Sequence, residues 1–208
     1  MRELSLHILD VLENSVEAGS TRLELLIRED LKKDVLGIVI RDNGRGMSKE
    51  FVQQVLNPFV TTRTTRHVGL GLPLFAAAAQ RCNGDLRIES ELGVGTTVTA
   101  TFQHSHIDRA PLGDIPGTLL SIILSDRPVD ILYKHWVDRR TFELDTALVR
   151  RELGTVPLSH PPVREWLETT LREGMEGLQR PVPRRKERET LPRRKDRETL
   201  PRRKDREI

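Results

Sequence analysis

Three near-copies of one nine-residue unit close the chain, RRKERETLP, RRKDRETLP and RRKDREI, and they limit how much of it can fold. A proline every nine residues breaks any helix. Leu191, Leu200 and Ile208 are the only apolar side chains in the last 25 residues, so burial cannot offset the entropy of ordering them. Residues 180–208 are therefore predicted to be a disordered basic repeat tail. Of the 34 Lys and Arg and 31 Asp and Glu in the chain, this tail holds 13 and 6, which leaves residues 1–179 acidic, with 21 basic against 25 acidic. The pI near 9.3 belongs to the tail. The repeats interleave Arg-Arg-Lys with Asp or Glu and contain no aromatic residue to stack on bases, which favours a solvated tail over a nucleic-acid partner.

The remainder is long enough for one full domain with a small addition. A single cysteine, Cys82, excludes an internal disulfide framework and a cysteine-based zinc site, and it suits a reducing compartment. No apolar run approaches the ~20 residues of a membrane span, and MRELSLHILD is charged where a signal peptide is apolar. A cytoplasmic protein with no membrane partner is expected.

The stripe Leu4, Ile8, Val11, Leu12, Ser15 and Val16 has a helical period over residues 2–18, and Gly19 is the natural stop. Residues 22–28 and 35–41 read as a β-hairpin. Asp42-Asn43-Gly44-Arg45-Gly46-Met47 is dense in turn formers, and Ser48 caps a helix over 49–56 that Asn57-Pro58 ends. TTRTTRHVGLG, from Thr61 to Gly71, is a mobile loop by composition. Residues 72–81 are helical, and 85–90 and 96–102 are strands. This order, α-β-β-α-α-β-β, predicts an α+β two-layer sandwich with helices on one face of a mixed sheet, in a domain of residues 1–103. A polar linker covers 104–116. A small α+β appendage covers 117–179, with strands at 117–125 and 129–137 and helices at 145–153 and 162–178.

Four short patterns carry chemistry. On the first helix Asp10 and Asn14 lie one turn apart with His7 at i−3 from Asp10, so all three share a face, and a carboxylate beside an amide oxygen suits a hard cation and a water. Asp42-x-Gly44-x-Gly46 sets a carboxylate at a strand end before glycines that allow close backbone approach. Gly69-Leu70-Gly71-Leu72 opens a helix whose free N–H groups can receive phosphate. Gly95-Thr96-Thr97 begins a strand with hydroxyls. Alone, each is an ordinary polar stripe, turn or Thr-rich strand.

In this order and spacing, the stretch from Asp10 to Phe102 resembles the GHKL ATPase superfamily, which unites DNA gyrase, a heat-shock chaperone family, histidine kinases and the MutL mismatch repair proteins. LDVLENSVEAGST resembles the MutL form of the N box. DNGRGM resembles the first glycine box, NPFVTTR the histidine-kinase F box, GLGLPL a kinase-like second glycine box, and GVGTTVTATF the last motif. The resemblance implies the Bergerat, or histidine kinase-like ATPase, fold, with ATP and Mg²⁺ as ligands. It implies that Asn14 holds Mg²⁺, that Asp42 accepts from the adenine amino group with Gly44, Gly46 and Met47 around the base, and that Thr97 bonds through water. It also implies that Thr62 and Arg63 approach phosphate from the lid while Gly69, Leu70, Gly71 and Leu72 cradle it. The water-activating Glu of gyrase-like and MutL-like members is Asp10 here, one methylene shorter, and the resemblance offers Glu13, which copies a Glu of the MutL form, as a residue to assist in its place.

The kinase-like boxes imply a phosphotransferase. The chain starts nine residues before Asp10, which leaves no upstream room for a phosphoacceptor hairpin, and none of His7, His67, His104, His106, His135 and His160 has a phosphoacceptor context. The expectation is therefore an ATP-binding kinase-like protein acting in trans on an unidentified partner protein, or regulating it through nucleotide, with a homodimer left open. The alternatives are an ATP-hydrolysing or purely ATP-binding switch and, third, a DNA-metabolism ATPase.

Overall fold

A computed structural model of the chain describes residues 2–56, 71–127 and 129–179. The expectations for the repeat tail, for Asn57-Pro58 and for the loop from Thr61 to Leu70 fall outside the described residues. Helix α1 (Leu4–Glu17) forms because Leu4, Ile8, Val11, Leu12 and Ser15 recur on one stripe, and all five are buried. It stops where Gly19 takes φ 79° and its N–H donates to the Val16 carbonyl at 3.0 Å. The hairpin follows as β1 (Arg22–Asp30) and β2 (Val35–Asp42), paired antiparallel. Helix α2 (Lys49–Gln54) is capped by Ser48, whose hydroxyl accepts from the Phe51 N–H.

Helix α3 (Gly71–Arg81) is followed by strands β3 (Leu86–Glu91) and β4 (Gly95–Gln103). Strand β4 lies antiparallel to both β3 and β2. Beyond it come α4 (Ile115–Ile123), β5 (Asp130–Val137), β6 (Arg140–Asp145), α5 (Thr146–Leu153) and α6 (Pro161–Gln179).

Residues 117–125, expected as a strand, form most of α4 instead. Ile115, Leu119, Ile122 and Ile123 are buried at helical spacing, Pro116 occupies the first turn, and Asp114 accepts from the Gly117 N–H at 2.9 Å. A short apolar run fits strand and helix equally, and the cap with proline decides it. Strand β6 was not foreseen; Asp138 at φ 51° makes the tight turn that creates it.

The six strands form one sheet in the order β3-β4-β2-β1-β5-β6, mixed because β5 runs parallel to β1 while every other pair is antiparallel. Residues opposite one another in register share a face. Leu23, Leu25 and Ile27 of β1, Leu36, Ile38 and Ile40 of β2, Val98, Ala100 and Phe102 of β4, and Ile131 and Tyr133 of β5 are buried on one face, where they meet the apolar stripes of α1, α3, α4 and α6. Each fully buried Leu, Ile or Phe contributes about 1.5–3 kcal/mol. The expected two-layer α+β sandwich of Bergerat type is present. The segment after residue 116 shares its sheet and its core, because β5 extends the sheet beside β1 and α4 packs on α1. No helix among the described residues is long and apolar enough to cross a membrane.

Candidate functional site

The elements that carry the described candidate residues meet at one end of the sheet. The second half of α1, the end of β2 with its glycine turn, and the start of α3 converge there. Asp42 is held from two sides: the buried Ser15 hydroxyl donates to Oδ2 at 2.8 Å, and the Gly44 N–H donates to Oδ1 at 2.9 Å. Each oxygen keeps a lone pair for a further donor. Gly44 is buried because a Cβ there would crowd the Ser20 hydroxyl at 2.7 Å and the Ala18 methyl at 2.9 Å. Gly46, at φ 65°, lies where a Cβ would overlap the Glu91 carbonyl oxygen. Both expected box glycines are therefore required by close packing of the turn, against α1 and against the β3–β4 turn.

Met47, half-buried, donates its N–H to the Ser90 hydroxyl at 2.8 Å, and Ser90 also bonds the Gly95 carbonyl and the Thr96 hydroxyl, each at 2.9 Å. Ser90 thus fastens the glycine turn to β3 and β4. Thr97 needs a correction. Asp42 pairs with Thr96, and Arg41 pairs with Thr97. Asp42 shares the face of Ile40 and Val98, so the threonine on its face is Thr96, and Thr97 projects from the opposite side of the sheet.

Asp10 and Asn14 are half-buried on α1, and Glu13 is exposed. Gly71 packs directly on Asp10, for a Cβ there would stand 3.2 Å from the Asp10 Cβ and 3.3 Å from Oδ2. The first N–H groups of α3 and the positive end of its dipole therefore begin beside a carboxylate one turn from an amide oxygen. Leu72 is half-buried behind them. Thr62, Arg63, Gly69 and Leu70 lie outside the described residues.

His7 lies one turn below Asp10, is 4% exposed, and stacks on Phe75 with ring centroids 5.1 Å apart and planes 8° apart. Burial, with the positive N-terminus and Arg81 nearby, lowers its pKa to about 4, and its Nδ1 has no partner. It is a neutral wedge between α1 and α3.

Two groups escaped the sequence reading because their partners are remote. Ser15, 27 residues from Asp42, read as part of an apolar stripe. The signal was there, in a polar residue on the buried face next to Asn14. At the far end of β1 Glu29 accepts from both His135 Nε2 at 2.9 Å and His104 Nε2 at 2.7 Å, and the Tyr133 hydroxyl bonds His135 Nδ1 at 2.9 Å. Burial raises the Glu29 carboxyl, and the two imidazole hydrogen bonds outweigh it, leaving the group below the usual carboxylate range. His104 thus has a structural partner, and His106 accepts the Asp108 N–H.

Residues 2–106 match the family described as histidine kinase-, DNA gyrase B-, and HSP90-like ATPase. The chain is 33% identical over 94 residues to a probable C4-dicarboxylate sensor kinase of Halalkalibacterium halodurans, covering 42% of this chain and 17% of that one. It is 31% identical over 111 residues to the non-motile and phage-resistance protein of Caulobacter vibrioides, covering 49% of this chain and 13% of that one. It therefore spans under a fifth of the length of these relatives. Among solved structures, the N-terminal domain of a DNA repair protein shares the fold with a TM-score of 0.50 at 14% identity, over 70% of this chain and 53% of that one.

Proposed function

Because the chain belongs to the histidine kinase-, DNA gyrase B- and HSP90-like ATPases, we propose that its ATP-binding domain serves a phosphotransferase, or a nucleotide-dependent regulator, that acts on a separate partner protein. The observation that carries this reading is the convergence of Asp42, held by Ser15 and Gly44, with Asp10 packed against the start of α3. A carboxylate fixed in this way accepts a hydrogen bond from an exocyclic amine and repels a carbonyl in the same place, which selects adenine over guanine. Thr96 supplies the neighbouring hydroxyl.

The donor set fits Mg²⁺ and a triphosphate. Asn14 and Asp10 offer hard oxygen donors one helical turn apart, and the N-terminal amides of α3 offer hydrogen bonds to phosphate. When bound, Mg·ATP supplies the transferable γ-phosphoryl group, and the chain's residues orient it and neutralise its charge. Asp10 is the base nearest the start of α3 and Glu13 the exposed second carboxylate.

Transfer to another molecule is favoured by three of the described histidines, which are engaged within the fold. His7, on a pocket helix, is 4% exposed and stacked, and His104 and His135 are both bonded to Glu29. A second reading, an ATP-binding switch without hydrolysis, is favoured by the short arm of Asp10. Incubation with ATP labelled on the γ-phosphate separates the two. Label on a partner from the same cell supports transfer, free phosphate supports hydrolysis, and tight binding with neither supports the switch. Failure to bind ATP at all rejects every version.

A further inference from the structure

Two residues beyond the family match reach back to the start of β1, where the glycine turn is also anchored. Arg22 is the hinge of this contact. Its backbone N–H, like that of Thr21, donates to Asn43 Oδ1 at 2.9 Å, and Asn43 Nδ2 returns a bond to the Thr21 hydroxyl at 2.9 Å. Asn43 directly follows Asp42, so the first residues of β1 set the turn that aims the carboxylate. The Arg22 guanidinium grips Asp145 as a two-pronged pair, Nη1 to Oδ1 at 2.7 Å and Nη2 to Oδ2 at 2.8 Å, across 123 residues of chain. Asp145 is also the N-cap of α5, accepting the Ala147 N–H at 3.0 Å. The Asp130 N–H donates to the Thr21 carbonyl at 3.0 Å, so β5 and α5 both converge on Thr21-Arg22.

We propose that Arg22 and Asp145 are positioning residues for the nucleotide pocket, coupling the docking of α5 and β5 to the aim of Asp42 through Asn43. The inference rests on the adenine reading of Asp42 given above. The pair is half-buried, with side-chain exposures of 31% and 16%, and a two-pronged charge-assisted pair resists rotation better than a single contact. Hydrogen bonding to Asp145 raises the already high Arg22 pKa and lowers that of Asp145, so both charges persist through neutral pH. Coupling is reciprocal: whatever α5 contributes to nucleotide affinity, nucleotide returns as tighter docking of α5. A partner that displaced α5 would thereby loosen the pocket without touching it.

The test compares Mg·ATP affinity, by calorimetry, in the wild-type chain, in Asp145→Asn and in Arg22→Lys. Asparagine keeps the α5 cap and lysine keeps the charge, and each removes the two-pronged pair. Each should weaken Mg·ATP by about three- to tenfold, and the loss in Asp145→Asn should be less than additive with that in Asn43→Ala. Tyr133→Phe, in the middle of β5 and without a bond to Thr21, Arg22 or Asn43, is the control for general loosening; it should lower the melting temperature and leave affinity unchanged. Wild-type affinity in folded Asp145→Asn overturns the inference while the adenine reading stands. Wild-type chain that fails to bind Mg·ATP overturns both. Should the variants not fold, hydrogen exchange on the wild type decides: slower exchange at residues 146–153 on adding Mg·ATP supports the coupling, and unchanged exchange there rejects it.

Discussion

The two ends of β1 are pinned by opposite chemistry. At the pocket end, Arg22 and Asp145 form a pair of permanent charges beside the glycine turn. At the far end, Glu29 is shared between His104 and His135, with Tyr133 behind them. A guanidinium keeps its charge at any physiological pH, and an imidazole does not. The pocket end is thus a two-pronged pair that holds one geometry, and the far end is a carboxylate shared by two imidazoles. One strand is pinned at both ends, and on the proposed reading only the Arg22 pin bears on the nucleotide.

Changes at the pocket end should move ligand affinity, and changes at the far end should move stability alone. The largest effect is expected from Asn14→Ala, which should abolish the Mg²⁺-dependent part of ATP binding; titrations with and without Mg²⁺ that still differ would break the assignment. Ser15→Ala frees one oxygen of Asp42 from its buried donor and should weaken ATP about tenfold, in line with about 1–2 kcal/mol for such a bond. An unchanged Kd would return Ser15 to the apolar stripe where the sequence reading put it. Tyr133→Phe removes the hydroxyl that bonds His135 Nδ1 and the Met175 sulfur and should cost about 1 kcal/mol in denaturant unfolding, with ATP affinity intact. A loss of affinity there would erase the distinction between the two ends.

The smallest effect concerns pH. The Glu29 carboxyl is held below its ordinary value of 4.5, so its contribution is complete above that value and is lost as pH falls through the lower folded value. Glu29→Gln should therefore unfold more readily at neutral pH and show a shallower acid limb below about pH 5. Parallel stability curves for the two proteins would show that the carboxylate is not what the staple uses.

Much of this was legible before any coordinates. The helical period ending at Gly19, the two apolar runs and the glycine turn each rest on neighbours within a few residues, so α1, β1, β2 and the turn follow from local rules. Three features did not. Residues 117–125 were misread because a nine-residue apolar run has no period long enough to decide, and its cap at Asp114 lies outside it. The resemblance alone points to Thr97, and the parity of β4 depends on its register with β2, which sets Val98 opposite Ile40 and Thr96 opposite Asp42. Arg22 and Asp145 are separated by 123 residues, and nothing local marks either as the other's partner.

On the proposed reading, the Asp42 carboxylate, fixed by Ser15 and Gly44, anchors an adenine nucleotide site. Calorimetric titration of Mg·ATP into wild type and Asp42→Ala, with circular dichroism to establish that both are folded, tests it most directly. Saturable binding to the wild type and none measurable in Asp42→Ala are expected; equal affinity in the two folded proteins would remove Asp42 from the site.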